Sequence, residues 1–466
     1  MIRVRRALLS AYHKEGLEPL AEALVECGAE ILSTGGTFAW LRERGFPVVS
    51  LEEWADLPAL FGGRVKTLHP KVQGGILYRR GDPGDEKERE RFGVEPIDLV
   101  AINLYPFTAS IRSAPEDRAR AIEMIDVGGP TMLRAAAKNH ASVAVVCDPD
   151  DYRPVADALR QGSGALSESL CAKLAAKGFR LTAAYDAAIA GYLDAEDDVL
   201  PARFDRSEPL LWRLRYGENP SQQGAFYGPP EGFPGGLRKL QGKEISFNNL
   251  QDLEVAVELV RQLGPDPAAA VIKHATPCGA ATAPMIVEAF RRARDGDALS
   301  AFGGIVALNR PVDRACAEEL AQMFLEVIAA PEFPPEARET LGRKKNLRLL
   351  EGEELGRAAT PPARTEKWFR NLGNGILLQD PMQHDLGESG WRVVTERVPT
   401  AEEEASLRFC WKVVRAVKSN AIACARDSRI IGIGGGQTSR IDALQLALMK
   451  ARRGGHETVG AVMASD

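Results

Sequence analysis

None of the seven cysteines (Cys27, Cys147, Cys171, Cys278, Cys316, Cys410, Cys424) stands at Cys-x-x-Cys spacing from another. That spacing marks zinc and dithiol redox sites, so neither is expected. Scattered and odd in number, the cysteines read as reduced thiols. No apolar run is long enough to cross a bilayer. Met1 to Leu9 mimics the charged head of a signal peptide, but Tyr12-His13-Lys14 cuts the apolar stretch short and no small-residue cleavage site follows. The expectation is a cytoplasmic protein without a membrane partner. A basic excess is missing too: 59 Lys and Arg stand against 64 Asp and Glu, for a net charge of -5. A nucleic-acid partner is therefore not expected, whereas small anionic substrates need only a local cluster of cations. No Walker A sequence, internal repeat or low-complexity tract is present.

At 466 residues the chain exceeds one ordinary hydrophobic core, so two or three domains are expected. In the first third, short apolar strands alternate with amphipathic helices. Arg3 to Ser10 reads as a strand, and Leu17, Leu20, Ala21, Leu24 and Val25 recur at helical spacing. Ala29 to Ser33, Pro47 to Leu51, Ile97 to Leu104 and Ser142 to Cys147 add strands, with a short helix over Phe38 to Arg44. This order predicts an α/β fold with a parallel sheet. A long helix over Leu166 to Leu193 runs into the acidic stretch Asp194-Ala195-Glu196-Asp197-Asp198, which places a boundary near 205 and domains at 1–205 and 206–466. In the second, Ala268 to His274, Gly304 to Leu308 and Ile430 to Ile433 read as strands. Ile286 to Arg294 and a segment from about Asp442 read as helices. Thr400 and Glu403 form a capping box opening another helix. Pro361-Pro362 reads as a surface crossing between two lobes.

Ser33-Thr34-Gly35-Gly36-Thr37 lies between a strand and a helix. Hydroxyls and glycine N–H groups at a helix N-terminus suit a phosphate. A plain strand-to-helix turn with a threonine cap is the alternative. Ser10 and Lys14 fall at the same edge of a parallel sheet, where ligands gather. In Gly62-Gly63-Arg64-Val65-Lys66-Thr67-Leu68-His69-Pro70 an extended backbone points Arg64 and Lys66 the same way. Two cations and the Thr67 hydroxyl suit a phosphate or a developing oxyanion; a solvated basic loop is the alternative. Asn103-Leu104-Tyr105-Pro106-Phe107 ends a strand. Asp126, followed by Gly128 and Gly129, precedes a helix that closes on Lys138. Asp126 could merely cap that turn, and Lys138 could merely complement the helix C-terminus.

Downstream, Arg215-Tyr216-Gly217-Glu218-Asn219-Pro220 joins an Arg-Tyr pair to a turn. Lys273 and His274 can share a ligand only where their strand ends, as Pro277 and Gly279 indicate. A cation beside an imidazole favours the neutral base. Ser300-Ala301-Phe302-Gly303-Gly304 offers backbone approach to a flat ring, and Asn420 follows the capped helix.

Together with Ser246-Phe247-Asn248-Asn249-Leu250 and Gly434-Gly435-Gly436-Gln437-Thr438-Ser439-Arg440, these segments resemble the bifunctional family that formylates aminoimidazole carboxamide ribonucleotide (AICAR) and closes the product (FAICAR) to inosine monophosphate (IMP). The resemblance covers nearly the whole chain. It implies an N-terminal methylglyoxal synthase-like cyclohydrolase domain and a C-terminal transformylase region of cytidine deaminase-like lobes. It further implies that Ser10, Lys14, Ser33, Thr34, Gly35, Gly36, Thr37, Arg64, Thr67, Asn103, Gly128 and Gly129 hold the nucleotide around Lys66, Tyr105, Asp126 and Lys138. In the second region it implies catalytic Lys273 and His274 assisted by Asn420, with Arg215, Tyr216, Phe302 and Gly303 binding substrate. The implied formyl donor is 10-formyltetrahydrofolate, with no tightly bound cofactor and no metal, and the implied assembly is a homodimer with transformylase sites at its interface. Three departures stand out. His13 stands where the family usually has an Asp, Ser221 where it commonly has a His, and the family usually continues for several dozen residues beyond Asp466, so the expectation is either an incomplete chain or an altered transformylase site.

Two rival readings come from other classes. Pro277-Cys278 near a His suggests a zinc nucleobase deaminase, but Ala281 stands where a second Cys is needed. Gly432-Ile433-Gly434-Gly435-Gly436-Gln437 approaches a dinucleotide fingerprint until Gln437. A non-enzymatic phosphate-ligand sensor built on the first domain remains the alternative to catalysis.

Overall fold

The computed structural model describes residues 1–56, 58, 60–105, 107, 111, 117–194, 200, 203–359, 367–381 and 390–466. Pro106, residues 195–198 of the acidic stretch and Pro361-Pro362 lie outside them. The chain divides into two compact units, Met1–Ser207 and Glu208–Asp466. Among the described residues no helix is long and apolar enough to cross a membrane.

The first unit is built on a five-stranded sheet in the order Val48–Ser50, Glu30–Ser33, Arg6–Ala11, Leu99–Asn103, Ala144–Val146. Every neighbouring pair is parallel. Such strands are buried on both faces, which is why they read as unbroken apolar runs. Ala7, Leu8 and Leu9 are fully buried, as are Val100 and Ala101. Leu17–Glu26 buries Leu17, Leu20, Ala21 and Leu24 at the expected spacing, whereas Val25 faces outward. The helix after the third strand starts earlier than the apolar pattern suggests, spanning Gly35–Glu43 and taking in the glycine pair. The strand order reverses between Arg6–Ala11 and Leu99–Asn103. Their C-terminal ends diverge there, and a crevice opens at that edge.

The second unit carries a nine-stranded sheet, ordered Arg238–Gln241, Arg348–Glu351, Val327–Ala330, Ile305–Leu308, Ala268–Lys273, Thr276–Thr282, Arg429–Gly434, Ile422–Arg426, Val462–Ser465. Period-two alternation divides the central strand between two cores: Ala268, Ala270 and Ile272 join one, Ala269 and Val271 the other. Leu253 and Val257 of helix Phe247–Gln262 and Val413 of helix Ala401–Val414 pack on the first face. Phe290 and Ala293 of Ile286–Arg294 pack on the second. The capping box is present: Glu403 N–H donates to the Thr400 hydroxyl, and Thr400 N–H donates to the Glu403 carboxylate at 2.9 Å.

Sequence and structure differ at the Lys273 hairpin. The strand does end at Lys273, but Pro277 and Gly279 do not end it; they lie inside the returning strand Thr276–Thr282. The reversal is a two-residue turn in which His274 and Ala275 hold φ of 54° and 53°. Positive φ at both positions is what a tight hairpin requires, and here non-glycine residues supply it.

Candidate functional site

The crevice of the first unit is a cavity of about 800 Å³ lined from five directions. Ser10 and Ala11 end one central strand, and Ile102 and Asn103 end its neighbour. Gly36 and Thr37 come from the first turn of Gly35–Glu43, Arg64, Lys66 and Thr67 from the basic loop, and Asp126, Gly128 and Gly129 from the turn opening helix Gly128–Lys138.

Thr34 has the extended backbone of an N-cap, yet its side chain makes no cap hydrogen bond. Its hydroxyl donates instead to Glu52 Oε1. The first N–H groups of the helix therefore keep their donors, and the helix dipole adds positive potential there. Two ammonium groups stand beside this end: a β-carbon built at Gly35 would lie 3.4 Å from Lys66 Nζ, and one at Gly36 would lie 3.9 Å from Lys14 Nζ. Two cations beside a positive helix end form an anion site.

Asp126 sits across the cavity. Its Oδ1 accepts from Gly129 N–H at 2.9 Å, and its own N–H donates to the Tyr185 hydroxyl at 2.8 Å. Burial raises its pKa above the ordinary carboxylate value, against lowering by the Gly129 and Gly128 N–H groups and the Lys66 charge. Gly128 is needed for space, since a β-carbon there would overlap the Thr67 hydroxyl; at Gly129 one would lie 2.8 Å from Leu104. Tyr105 also lines the cavity, with its ring edge-on to Tyr12 at 5.2 Å.

Not every expected residue offers its side chain to this space. The Ser33 hydroxyl donates to Leu9 O at 2.7 Å, and the Thr37 hydroxyl donates to Ala11 O at 2.9 Å. Asn103 holds a loop: its Oδ1 accepts from Tyr12 and His13 N–H at 2.6 and 3.0 Å, while its Nδ2 donates to His13 O and the Tyr152 hydroxyl at 2.7 and 3.0 Å. Only the backbone of His13 enters this clamp. Arg64 pairs with Glu123 at the rim. Lys138 is not brought in. It is exposed in the last turn of an eleven-residue helix whose first turn carries Gly128, roughly 15 Å away at 1.5 Å per residue.

Glu52 and Tyr185 were not singled out in the sequence. Glu52 accepts from both the Thr34 and Ser50 hydroxyls, the latter at 2.7 Å. Burial raises its pKa, but these two hydrogen bonds and the Lys66 charge outweigh it and leave a lowered value. Nothing local marks either residue, because each reaches the site through tertiary contact.

In the second unit the sheet topology gathers the expected residues at one end. Ala268–Lys273 ends there, and its antiparallel neighbours Thr276–Thr282 and Ile305–Leu308 begin there. Arg429–Gly434 ends at the same level and Ile422–Arg426 starts beside it. Lys273 Nζ donates to Gly303 O at 2.8 Å, joining two motifs 30 residues apart. Phe302 is exposed, its ring 5.4 Å from that of Phe324. Asn420 Nδ2 donates to Gln437 O at 3.1 Å. Ala275 N–H donates to Asp252 Oδ1 at 2.6 Å, fixing the turn that exposes His274. Tyr216 O accepts from Phe247 N–H at 3.4 Å, which sets the Arg215-Tyr216 pair beside the start of the same helix. The glycines at 432 and 434 have a packing reason, since a β-carbon at either would collide with the backbone of helix Arg440–Arg453.

Residues 136–450 match the family model described as AICARFT/IMPCHase bienzyme, and residues 16–131 match the MGS-like domain. The chain belongs to the AICARFT/IMPCHase bienzyme family. Among curated relatives, the bifunctional purine biosynthesis protein PurH of Parasynechococcus marenigrum (strain WH8102) is 46% identical over 466 residues, covering 99% of this chain and 89% of that protein. PurH of Anaeromyxobacter sp. (strain Fw109-5) is 48% identical over 476 residues, covering 99% and 90%. The crystal structure of ForH is 40% identical, covers 41% of this chain and 97% of that one, and has a TM-score of 0.38. As a family member the chain is an enzyme of purine biosynthesis with AICAR formyltransferase and IMP cyclohydrolase activities. Its five-stranded parallel unit is the MGS-like portion of the bienzyme.

Proposed function

We propose that the cavity of the first unit closes the ring and that the sheet end around Lys273 transfers the formyl group, with 1–205 as the cyclohydrolase domain and 206–466 as the transformylase domain. The observation that carries the first half is the shared cavity of Asp126, Lys66 and an uncapped helix end flanked by two lysines. The Gly35 to Thr37 N–H groups with Lys14 and Lys66 take the phosphate, and Arg64, Thr67 and the Gly128-Gly129 turn bound the nucleotide. Ring closure joins the carboxamide nitrogen to the formyl carbon of the same molecule and expels water. Held geometry offsets roughly 7–11 kcal/mol of such a barrier. Asp126 removes the amide proton, while Lys66 and the Tyr105 hydroxyl stabilise charge on oxygen. Lys138 has no part in this step within a single chain.

In formyl transfer the amine of AICAR attacks the formyl carbon of 10-formyltetrahydrofolate, and the folate nitrogen leaves. His274 takes the amine's proton, Lys273 tunes it, and Asn420 holds the formyl oxygen. Arg215 and Tyr216 bind the ribonucleotide, and the exposed Phe302 and Gly303 receive a flat ring. Support comes from the common sheet end of these residues and from the Lys273–Gly303 hydrogen bond. The formyl donor, cytidine deaminase-like lobes, a cytoplasmic homodimer with interfacial sites and the absence of a tightly bound cofactor belong to the same reading. The test supplies FAICAR alone, then AICAR with 10-formyltetrahydrofolate, and follows IMP. Production from both supports the assignment. FAICAR conversion no faster than without protein would favour a phosphate sensor instead.

A further inference from the structure

Glu52 lies outside the residues given a chemical role, yet it touches the device that makes the anion site. Ser and Thr at an N-cap normally accept a hydrogen bond from the second or third helical N–H. Thr34 is the right residue type in the right backbone conformation, φ -137° and ψ 154°, and still does not cap Gly35–Glu43. Its hydroxyl is oriented to donate to Glu52 Oε1 and accepts no helix N–H, while Glu52 Oε2 accepts from the Ser50 hydroxyl at 2.7 Å. Glu52 is thereby fixed by two hydroxyls from the ends of adjacent parallel strands, Glu30–Ser33 and Val48–Ser50. A threonine left free would satisfy one of the same N–H groups that a phosphate must use.

Resting on the reading of this cavity as the phosphate-holding ring-closure site, we infer that Glu52 is a positioning residue for substrate phosphate. It withdraws the Thr34 hydroxyl from the helix end and so keeps the N–H donors of Gly35–Glu43 open. Glu52 does not touch the substrate. Its effect falls on binding rather than on the proton transfer at Asp126.

The experiment measures KM and kcat for FAICAR cyclisation, together with competitive inhibition by inorganic phosphate. It uses the parent protein, Glu52→Ala, and the conservative variant Glu52→Gln, whose amide oxygen can still accept from the Thr34 hydroxyl. A cap hydrogen bond corresponds to a factor of about five to ten in an equilibrium. In Glu52→Ala, KM and the phosphate inhibition constant rise by about that factor while kcat stays within about twofold. In Glu52→Gln both stay within about threefold of the parent, because the side chain still holds the Thr34 hydroxyl. Unchanged KM in Glu52→Ala, a fall in kcat alone, or a rise in KM in Glu52→Gln as large as in Glu52→Ala overturns the inference. If the parent itself neither makes IMP nor is inhibited by phosphate, the cavity reading falls as well, a result distinct from failure of the Glu52 variants alone.

Discussion

Burial raises the hold of the Asp126 carboxyl on its proton, and the Gly129 and Gly128 N–H groups and Lys66 offset this only in part. A folded pKa above the unfolded one means a stability contribution complete below the unfolded value and lost as pH rises through the folded value. Ionising this buried side chain is thus a stability cost. Asp126→Asn is expected to melt no lower than the parent at pH 7 while slowing ring closure by about 10²–10⁴, read by thermal melting and IMP formation. The same shift places the acid limb of the cyclisation profile above the ordinary carboxylate value of about 3.9. Gly128 gives a second prediction at this scale. Its alanine variant puts a methyl group onto the Thr67 hydroxyl, so a loss of about 1–3 kcal/mol is expected in denaturant unfolding, together with reduced cyclisation and unchanged formyl transfer.

The hairpin that presents His274 is held in a conformation alanine rarely adopts, with φ of 53° at Ala275. Left-handed backbone costs a non-glycine residue about 1–2 kcal/mol. Ala275→Gly relieves that cost but adds unfolded-state freedom, so a net gain of up to about 1 kcal/mol is expected, measured by denaturant unfolding. Element identities were legible in the sequence because burial writes a period into it: alternation in Ala268–Lys273, helical spacing in Leu17–Glu26, and a capping box at Thr400 and Glu403. The chemical role of each polar side chain was less legible. Asn103, Ser33 and Thr37 spend their side chains on local hydrogen bonds, and a sequence does not show which partners a hydroxyl or amide meets. Pro277 and Gly279 looked like strand breakers, but Gly279 lies so close to the backbone of Ala293 that no β-carbon fits there. The distance separating Lys138 from the cavity follows from helix length, once the helix is seen to start at Gly128.

At the scale of the whole molecule, the chain holds two differently built sheets, a parallel one of five strands and a mixed one of nine, and the proposed assignment puts one chemistry on each. Each unit has its own hydrophobic core, so a side-chain change at one centre need not disturb the other. Lys273 tests that independence, because it lies in the second unit whereas the proposed ring-closure cavity is lined by residues of the first. The decisive measurement follows IMP produced by folded Lys273→Ala protein from two starting points. From FAICAR, the rate should match the parent; from AICAR with the formyl donor, no IMP should form. Loss of both conversions, or retention of both, would contradict the assignment of the two reactions to separate centres.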